Sequence, residues 1–110
     1  MNKLFLVLLL AVPSAVYAGA QTGTVSYVEV RASDGLVYFE LSGDAKTNSP
    51  SCAAEHFYWI IRDENSNAGK QQYAMVLAAQ ASGKRVFVVG LNSCARWHDG
   101  EDLNYIRILE

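Results

Sequence analysis

A helix that runs through a glycine turn into an apolar strand is the feature that most constrains this chain. Residues 66–89 read SNAGKQQYAMVLAAQASGKRVFVV. Ser66 or Asn67 can cap the helix, because a short side-chain oxygen accepts hydrogen bonds from the free N–H groups of the first turn. Gly83 stands where a helix commonly ends in a left-handed residue. The sequence therefore predicts a helix over residues 68–81 that leads directly into a strand.

Helical spacing places an apolar stripe along this predicted helix. Its members are Tyr73, Val76, Leu77 and Ala81, with Ala74 and Ala78 beside them. The small alanine side chains indicate that the helix lies close against another surface. A sheet of the same subunit is the simpler partner, and a subunit interface is the alternative.

The first residues have the pattern of a secretory signal peptide. Lys3 precedes an unbroken apolar run over residues 4–12, and small residues then lead to a cleavage site after Ala18, with Ala20 as the alternative. The run is shorter than the ~20 residues that cross a membrane as a helix. We therefore predict that residues 1–18 are removed, that the protein is secreted or periplasmic, and that the mature chain has no membrane span.

Residues 19–110 are expected to form a single domain, small enough that burial alone is only marginally sufficient. The whole chain has nine basic and eleven acidic residues, and one of the basic residues, Lys3, lies in the predicted signal peptide. The mature domain is therefore acidic. This argues against nucleic acid as a partner, because phosphate contacts need a basic surface.

The two cysteines, Cys52 and Cys94, both lie in the predicted mature domain. An oxidising compartment favours a disulfide between them. Such a bond closes a loop of about 40 residues, which the chain-entropy model values at roughly 4 kcal/mol. A catalytic thiol or a metal-binding pair is the alternative, although the cysteines do not have CxxC spacing.

Five runs with the composition of strands accompany the helix. They are residues 22–32, residues 36–41, a region that starts at Cys52 and includes Phe57 to Ile61, residues 85–89 and residues 103–109. Asp34-Gly35 between the first two runs indicates a hairpin. The order strand, strand, strand, helix, strand, strand predicts a small OB-fold-like β-barrel of five strands, with the helix plugging one end. An open α+β sheet with one helix packed on it is the alternative.

Candidate ligand contacts lie between the last two strands, in the segment RWHDGED over residues 96–102. Trp97 can stack on the face of a sugar while Asp99 or Glu101 accepts hydrogen bonds from its hydroxyl groups. The same carboxylates can help to bind calcium, but the spacing of an EF-hand is absent. The alternative is an Asp-Gly turn in which Trp97 packs over the disulfide and Arg96 pairs with a carboxylate.

Other chemistry finds little support in the sequence. The two histidines, His56 and His98, do not have the spacing of metal ligands. Residues 68–70 lack a Gly-rich phosphate loop, and no G-x-S-x-G elbow is present. We therefore expect no catalytic residue, no metal and no cofactor, and a protein that is not an enzyme.

Three parts of the mature chain carry a family resemblance. They are Thr22-Gly23-Thr24-Val25 with Tyr38-Phe39, then Ser51-Cys52-Ala53, and residues 71–88 with the ending Ala81-Ser82-Gly83-Lys84-Arg85-Val86. These stretches resemble the B subunits of bacterial A-plus-five-B toxins of the subtilase-cytotoxin and typhoid-toxin type. The resemblance implies an OB-fold, a ring of five copies and a sialylated glycan bound at Thr22. Val89-Gly90 replaces an aromatic residue of that family, and the family's second cysteine in the Tyr-Phe strand is missing.

Two functional hypotheses follow from these observations. The first is a secreted, non-enzymatic binding module similar to a toxin B subunit, which forms a homo-pentamer and binds cell-surface glycan. Its candidate ligand contacts are Thr22, Trp97, Asp99 and Glu101. The second is a monomeric periplasmic protein that binds or inhibits another protein, using an exposed face or the loop that contains Trp97.

Overall fold

The computed structural model describes residues 17–110, and the predicted signal peptide lies almost entirely outside this range. Five strands and one helix follow one another in the predicted order. Their bounds are β1 Ala20–Val30, β2 Val37–Gly43, β3 Trp59–Ile60, α1 Asn67–Ser82, β4 Arg85–Gly90 and β5 Glu101–Ile108. A short 3-10 turn, Ser51–Ala53, precedes β3. Among the described residues, no helix is long and apolar enough to cross a membrane.

The five strands form one sheet that closes on itself. Their order is β1-β2-β3-β5-β4, and β4 pairs back onto β1. Neighbouring strands are antiparallel, except that β3 and β5 run parallel. The sheet is therefore a closed ring rather than an open layer, and its connections bring the β1–β2 turn, the start of β3 and the segment before β5 to one region of the surface.

The core lies between the inner face of this ring and one side of α1. Alternation along β2 buries Val37, Phe39 and Leu41. The buried cluster consists of Val25, Phe39, Leu41, Trp59, Val76, Ala79, Val86, Val88, Leu103 and Ile106. Each large apolar side chain that is fully buried stabilises the fold by about 1.5–3 kcal/mol.

The predicted capping residues at both ends of the helix are confirmed. The Ser66 side-chain oxygen accepts a hydrogen bond of 2.9 Å from the backbone N–H of Gly69. At the other end, Gly83 has φ of 68°, the left-handed conformation that glycine adopts without steric cost. The helix is one residue longer at each end than the predicted range of 68–81.

The buried face of α1 is narrower than the predicted stripe. Val76 and Ala79 are fully buried, whereas Leu77 is 39% exposed. Exposed positions also include Ala74, Ala78 and Ala81. The stripe prediction is therefore wrong for the four exposed residues. The helix α1 packs against β1 and β5 along a line through Gly69, Val76 and Ala79 instead.

The third strand is much shorter than the sequence predicts. Only Trp59 and Ile60 pair with neighbouring strands, and Cys52 lies in the 3-10 turn instead. The predicted disulfide between Cys52 and Cys94 is present, with a Cα–Cα distance of 6.3 Å. It joins the 3-10 turn to residues 91–100, the β4–β5 loop.

Candidate functional site

A surface hollow of about 200 Å³ contains two of the four predicted ligand contacts. Its lining residues are Arg31, Leu36, Tyr38, Tyr58, Trp97 and Asp99. Three parts of the chain supply them: the β1–β2 hairpin, the residue before β3, and the β4–β5 loop. We call this hollow the aromatic pocket.

Two tyrosines form one wall of the aromatic pocket. Tyr38 lies on β2 and Tyr58 immediately precedes β3, and the pairing of these two strands places their ring centroids 5.4 Å apart. The hydroxyl group of Tyr38 donates a hydrogen bond to Glu29 on β1. This bond and the stacked His56 ring, 5.3 Å from that of Tyr58, hold the wall in place.

Asp99 is the carboxylate of the aromatic pocket, and three side chains surround it. The Tyr58 hydroxyl group donates a hydrogen bond to its Oδ1. The imidazole Nε2 atoms of His56 and His98 lie 3.4 and 3.6 Å from its Oδ2. The hydrogen bond from Tyr58 is the main cause that lowers the pKa of Asp99 below its usual value, so the carboxylate is ionised and remains an acceptor. Burial, together with the contact with Asp99, raises the pKa of Tyr58 to about 12.

Trp97 also lines the aromatic pocket, and Arg31 lies over its ring. The Arg31 guanidinium carbon lies 4.1 Å from the centre of the Trp97 ring, which is a cation–π contact. Arg31 also forms an ion pair with Asp34 in the hairpin turn. The His98 ring is tilted against Trp97 at a centroid distance of 4.5 Å. Arg31 and His98 therefore both contact the Trp97 ring.

Arg96 ties the β4–β5 loop to the rest of the molecule. Its guanidinium donates hydrogen bonds of 3.1 and 2.9 Å to the two carboxylate oxygens of Glu64, and a further bond of 2.9 Å to the backbone carbonyl of Asp34. These contacts from Arg96 are the main cause that lowers the pKa of Glu64. The pairing of Arg96 with a carboxylate agrees with the predicted structural role of this residue.

Asp102 shapes the same loop from inside, a role that the sequence did not indicate. Its side chain is completely buried. It accepts hydrogen bonds of 2.8 Å from the Ser93 hydroxyl group, 2.8 Å from the Ala95 N–H and 3.2 Å from the Arg96 N–H. The sequence predicts the last strand over residues 103–109 and so leaves Asp102 in the preceding loop, whereas β5 begins two residues earlier, at Glu101.

Glu101 is not part of the pocket surface. Its side chain is completely buried, so it has no surface to offer a sugar hydroxyl group. Its Oε2 accepts hydrogen bonds of 3.0 Å from the N–H groups of Gly19 and Asn92, and its Oε1 lies 3.3 Å from the Lys46 ammonium group. Glu101 is the first residue of β5, and the first three residues of this strand are all buried.

Thr22 lies in a different place from Trp97 and Asp99. It is a residue of β1 paired with Phe87 on β4. Both residues line a separate, shallower hollow of about 160 Å³ with Ala20, Gln21, Asp44, Ala45 and Thr47. The structure therefore brings Trp97 and Asp99 together with residues of other elements, and leaves Thr22 and Glu101 apart from them.

The aromatic pocket offers aromatic surface, a carboxylate acceptor and a guanidinium donor, and the lining residues found within 17–110 include no serine or cysteine. Four carboxylates, those of Glu29, Asp34, Glu64 and Asp99, lie in or beside it together with two arginines, and two histidines contact Asp99. Within residues 17–110, no three potential metal ligands are grouped in a way that could hold a metal ion. Comparisons with protein-family models, with curated proteins and with solved structures find no match to this chain.

Proposed function

We propose that this protein is an exported, non-enzymatic binding module that holds a carbohydrate in the aromatic pocket. The observation that carries the proposal is the placement of Tyr38, Tyr58 and Trp97 around the ionised carboxylate of Asp99. Aromatic rings cover the apolar faces of a sugar, and a carboxylate accepts hydrogen bonds from its hydroxyl groups. The pocket needs no bound metal or cofactor for this role.

The proposal includes an OB-fold. The strand order of the ring and the position of α1 between β3 and β4 support it. OB-folds bind oligosaccharides and oligonucleotides on the face of strands 2 and 3, beside the loops that join strands 1 to 2 and 4 to 5. Arg31 and Leu36 come from the first of these loops, and Trp97 and Asp99 from the second. This correspondence with the ligand-binding loops of OB-folds supports both the proposed fold and the proposed site.

Charge favours a neutral sugar in this pocket. Arg31 is already paired with Asp34, and the nearby carboxylates would repel an acidic ligand. A sialylated glycan, which the toxin resemblance implies at Thr22, would instead use the separate hollow beside Phe87. A homo-pentameric ring of this protein remains part of the proposal through the same resemblance. Light scattering of the purified mature protein distinguishes that ring from a monomer.

A glycan array followed by calorimetry on the best sugar tests the proposal. We expect Trp97→Ala to weaken binding by about tenfold, because an aromatic contact is worth about 0.5–1.5 kcal/mol beyond the area that it buries. Asp99→Asn should weaken it by a similar factor, since hydrogen bonds to charged groups contribute about 1.5–3 kcal/mol. Tyr105→Ala is the matched control, because Tyr105 is 40% exposed on β5 and does not line the pocket.

The array result separates the possible sites. Binding that survives Trp97→Ala and is lost in Thr22→Ala would move the sugar to the Phe87 hollow and contradict the proposed pocket. A folded protein that binds no sugar on the array would contradict carbohydrate binding altogether.

A protein partner is the second candidate, and the composition of the pocket favours it specifically. Tryptophan, tyrosine and arginine dominate the energetics of protein–protein contacts, and Trp97, Tyr38, Tyr58 and Arg31 are grouped here. A pull-down from a periplasmic extract discriminates the two candidates. A stoichiometric partner that is lost with Trp97→Ala, together with an empty glycan array, would favour this second function.

A further inference from the structure

A buried ion pair beneath the β4–β5 loop has no part in the aromatic pocket. The side chains of Lys46 and Glu101 have no exposed surface, and their charged atoms are 3.3 Å apart. Within residues 17–110, neither Lys46 Nζ nor Glu101 Oε1 has a hydrogen-bond partner of good geometry. Lys46 Nζ instead lies 4.0 Å above the centre of the Trp59 ring. A buried carboxylate with one unsatisfied oxygen calls for a further donor.

The backbone nitrogen of Gly19 is the group placed to be that donor. It already lies 3.0 Å from Glu101 Oε2. Two glycines make room for the carboxylate: a methyl group on Gly19 would come within 2.2 Å of Oε1, and one on Gly90 within 1.9 Å of Oε2. The Gly19 carbonyl accepts a hydrogen bond of 2.8 Å from the Gly90 N–H. Hydrogen bonds at both its N–H and its carbonyl group therefore hold Gly19 next to Glu101.

Gly19 is also the first residue after the predicted cleavage site. We propose that removal of the leader at the Ala18–Gly19 bond creates an N-terminal ammonium group that binds Glu101, so that Glu101 is the receptor of the mature N-terminus. This inference rests on the proposed export of the protein. It assigns a binding partner to a buried acid that carbohydrate recognition leaves unexplained.

The chemistry of this step balances with water alone. Hydrolysis by a leader-removing protease adds one water molecule across the amide bond, leaving a carboxylate on Ala18 and an ammonium group on Gly19. The amide N–H has one hydrogen to donate, whereas the ammonium group has three. One of them keeps the bond to Oε2, and another is available to Oε1, which lacks a partner. A charge-assisted bond of this kind is about twice as strong as a neutral one.

The surrounding contacts favour this cleavage site over the one after Ala20. The Ala20 N–H donates a hydrogen bond of 3.0 Å to the Thr47 carbonyl, and the Ala20 carbonyl accepts one of 2.9 Å from the Thr47 N–H. Cleavage after Ala20 would remove these bonds and the Gly19 contact with Glu101. Cleavage after Ala18 keeps the whole of β1 and all of its pairing with β4.

The mature N-terminus would also change the role of Lys46. Burial lowers the pKa of Lys46, and Glu101 opposes that shift. A second ammonium group on the same carboxylate repels the first and gives Glu101 another positive counter-charge. Lys46 is then needed as a counter-ion before processing and much less afterwards. Since Asn92 bonds the same oxygen of Glu101, processing also stabilises the start of the β4–β5 loop.

Two measurements test the inference. N-terminal sequencing and intact mass of the exported protein should give Gly19 as the first residue. Urea unfolding then compares three forms of the protein: one that begins at Gly19, the same chain acetylated on Gly19, and the same chain with Ala18 retained. The free Gly19 form should have a folding equilibrium constant about tenfold larger than either blocked form, as expected for a hydrogen bond to a buried charge.

Variants show whether Glu101 is responsible for this difference. Glu101→Gln should remove most of the difference between the free and blocked forms, and Glu55→Gln, an exposed acid, should leave it unchanged. Lys46→Met should lower the free energy of unfolding by less in the free Gly19 form than in the acetylated form. A first residue other than Gly19, or equal stability of the free and acetylated wild-type forms, would overturn the inference. Sugar binding enters neither measurement, so failure of the proposed carbohydrate site is a separate result.

Discussion

The ion pair between Arg96 and Glu64 makes the stability of the β4–β5 loop depend on pH. Because Arg96 lowers the folded-state pKa of Glu64 below its ordinary value of 4.5, the pair stabilises the fold above that pH. The contribution is lost as the pH falls through the lowered pKa. At pH 7, Glu64→Gln should reduce the free energy of unfolding by about 1 kcal/mol, a value that allows for partial exposure of both side chains.

Urea unfolding between pH 2 and pH 7 checks this expectation. The curves of the wild type and of Glu64→Gln should converge at the acid end, where Glu64 is protonated. Glu55→Gln, which removes an exposed acid, should run parallel to the wild type. If the Glu64→Gln curve also stays parallel throughout, the pair does not contribute in the way described.

Some residues of the aromatic pocket could be predicted because they are close in the sequence, and others could not. Trp97 and Asp99 are two positions apart in one loop, so their meeting could be predicted. Arg31, Tyr38 and Tyr58 join them only because the ring closes, and no local pattern carries that information. Glu101 was misplaced for a related reason: a polar residue at the start of a strand looks like part of the preceding turn until its burial is known.

Among the elements, α1 shows how a close contact can outweigh helix propensity. Gly69 lies in the first turn of α1, and a methyl group there would come within 1.8 Å of the Asp63 carbonyl oxygen. Propensity alone favours alanine over glycine by about 1 kcal/mol in a helix interior. The clash should dominate, so Gly69→Ala is expected to destabilise the protein by about 1–3 kcal/mol, the usual cost of overpacking.

Thermal or urea unfolding measures this change, with Ala78→Gly as the control on the exposed side of the same helix. The control should cost about 1 kcal/mol through propensity alone. A Gly69→Ala protein that is more stable than the wild type would show that the helix start can shift away from Asp63. The caps of α1 were predictable because they are local, whereas the buried line through Gly69 depends on where β1 and β5 lie.

For the whole molecule, the Cys52–Cys94 disulfide decides how firmly the pocket loop is attached. The two cysteines are separated by 42 positions, and the segment between them contains β3, α1 and β4. Replacing both with alanine should lower the free energy of unfolding by roughly 4 kcal/mol, because the unfolded chain regains the entropy of that loop. The β1–β2 pairing and the β4–β5 pairing do not involve the disulfide, so the closed sheet should persist where the protein still folds.

Removal of the disulfide should therefore affect the β4–β5 loop more strongly than the sheet. Unfolding in urea, with and without reductant, gives the stability term, and reductant should have no effect on the double alanine variant. Hydrogen exchange should rise in residues 91–100 before it rises in β1 and β2, because the disulfide anchors that loop to the 3-10 turn. Uniform exchange across the sheet and the loop would mean that the disulfide stabilises the molecule as one cooperative unit and does not hold the pocket specifically.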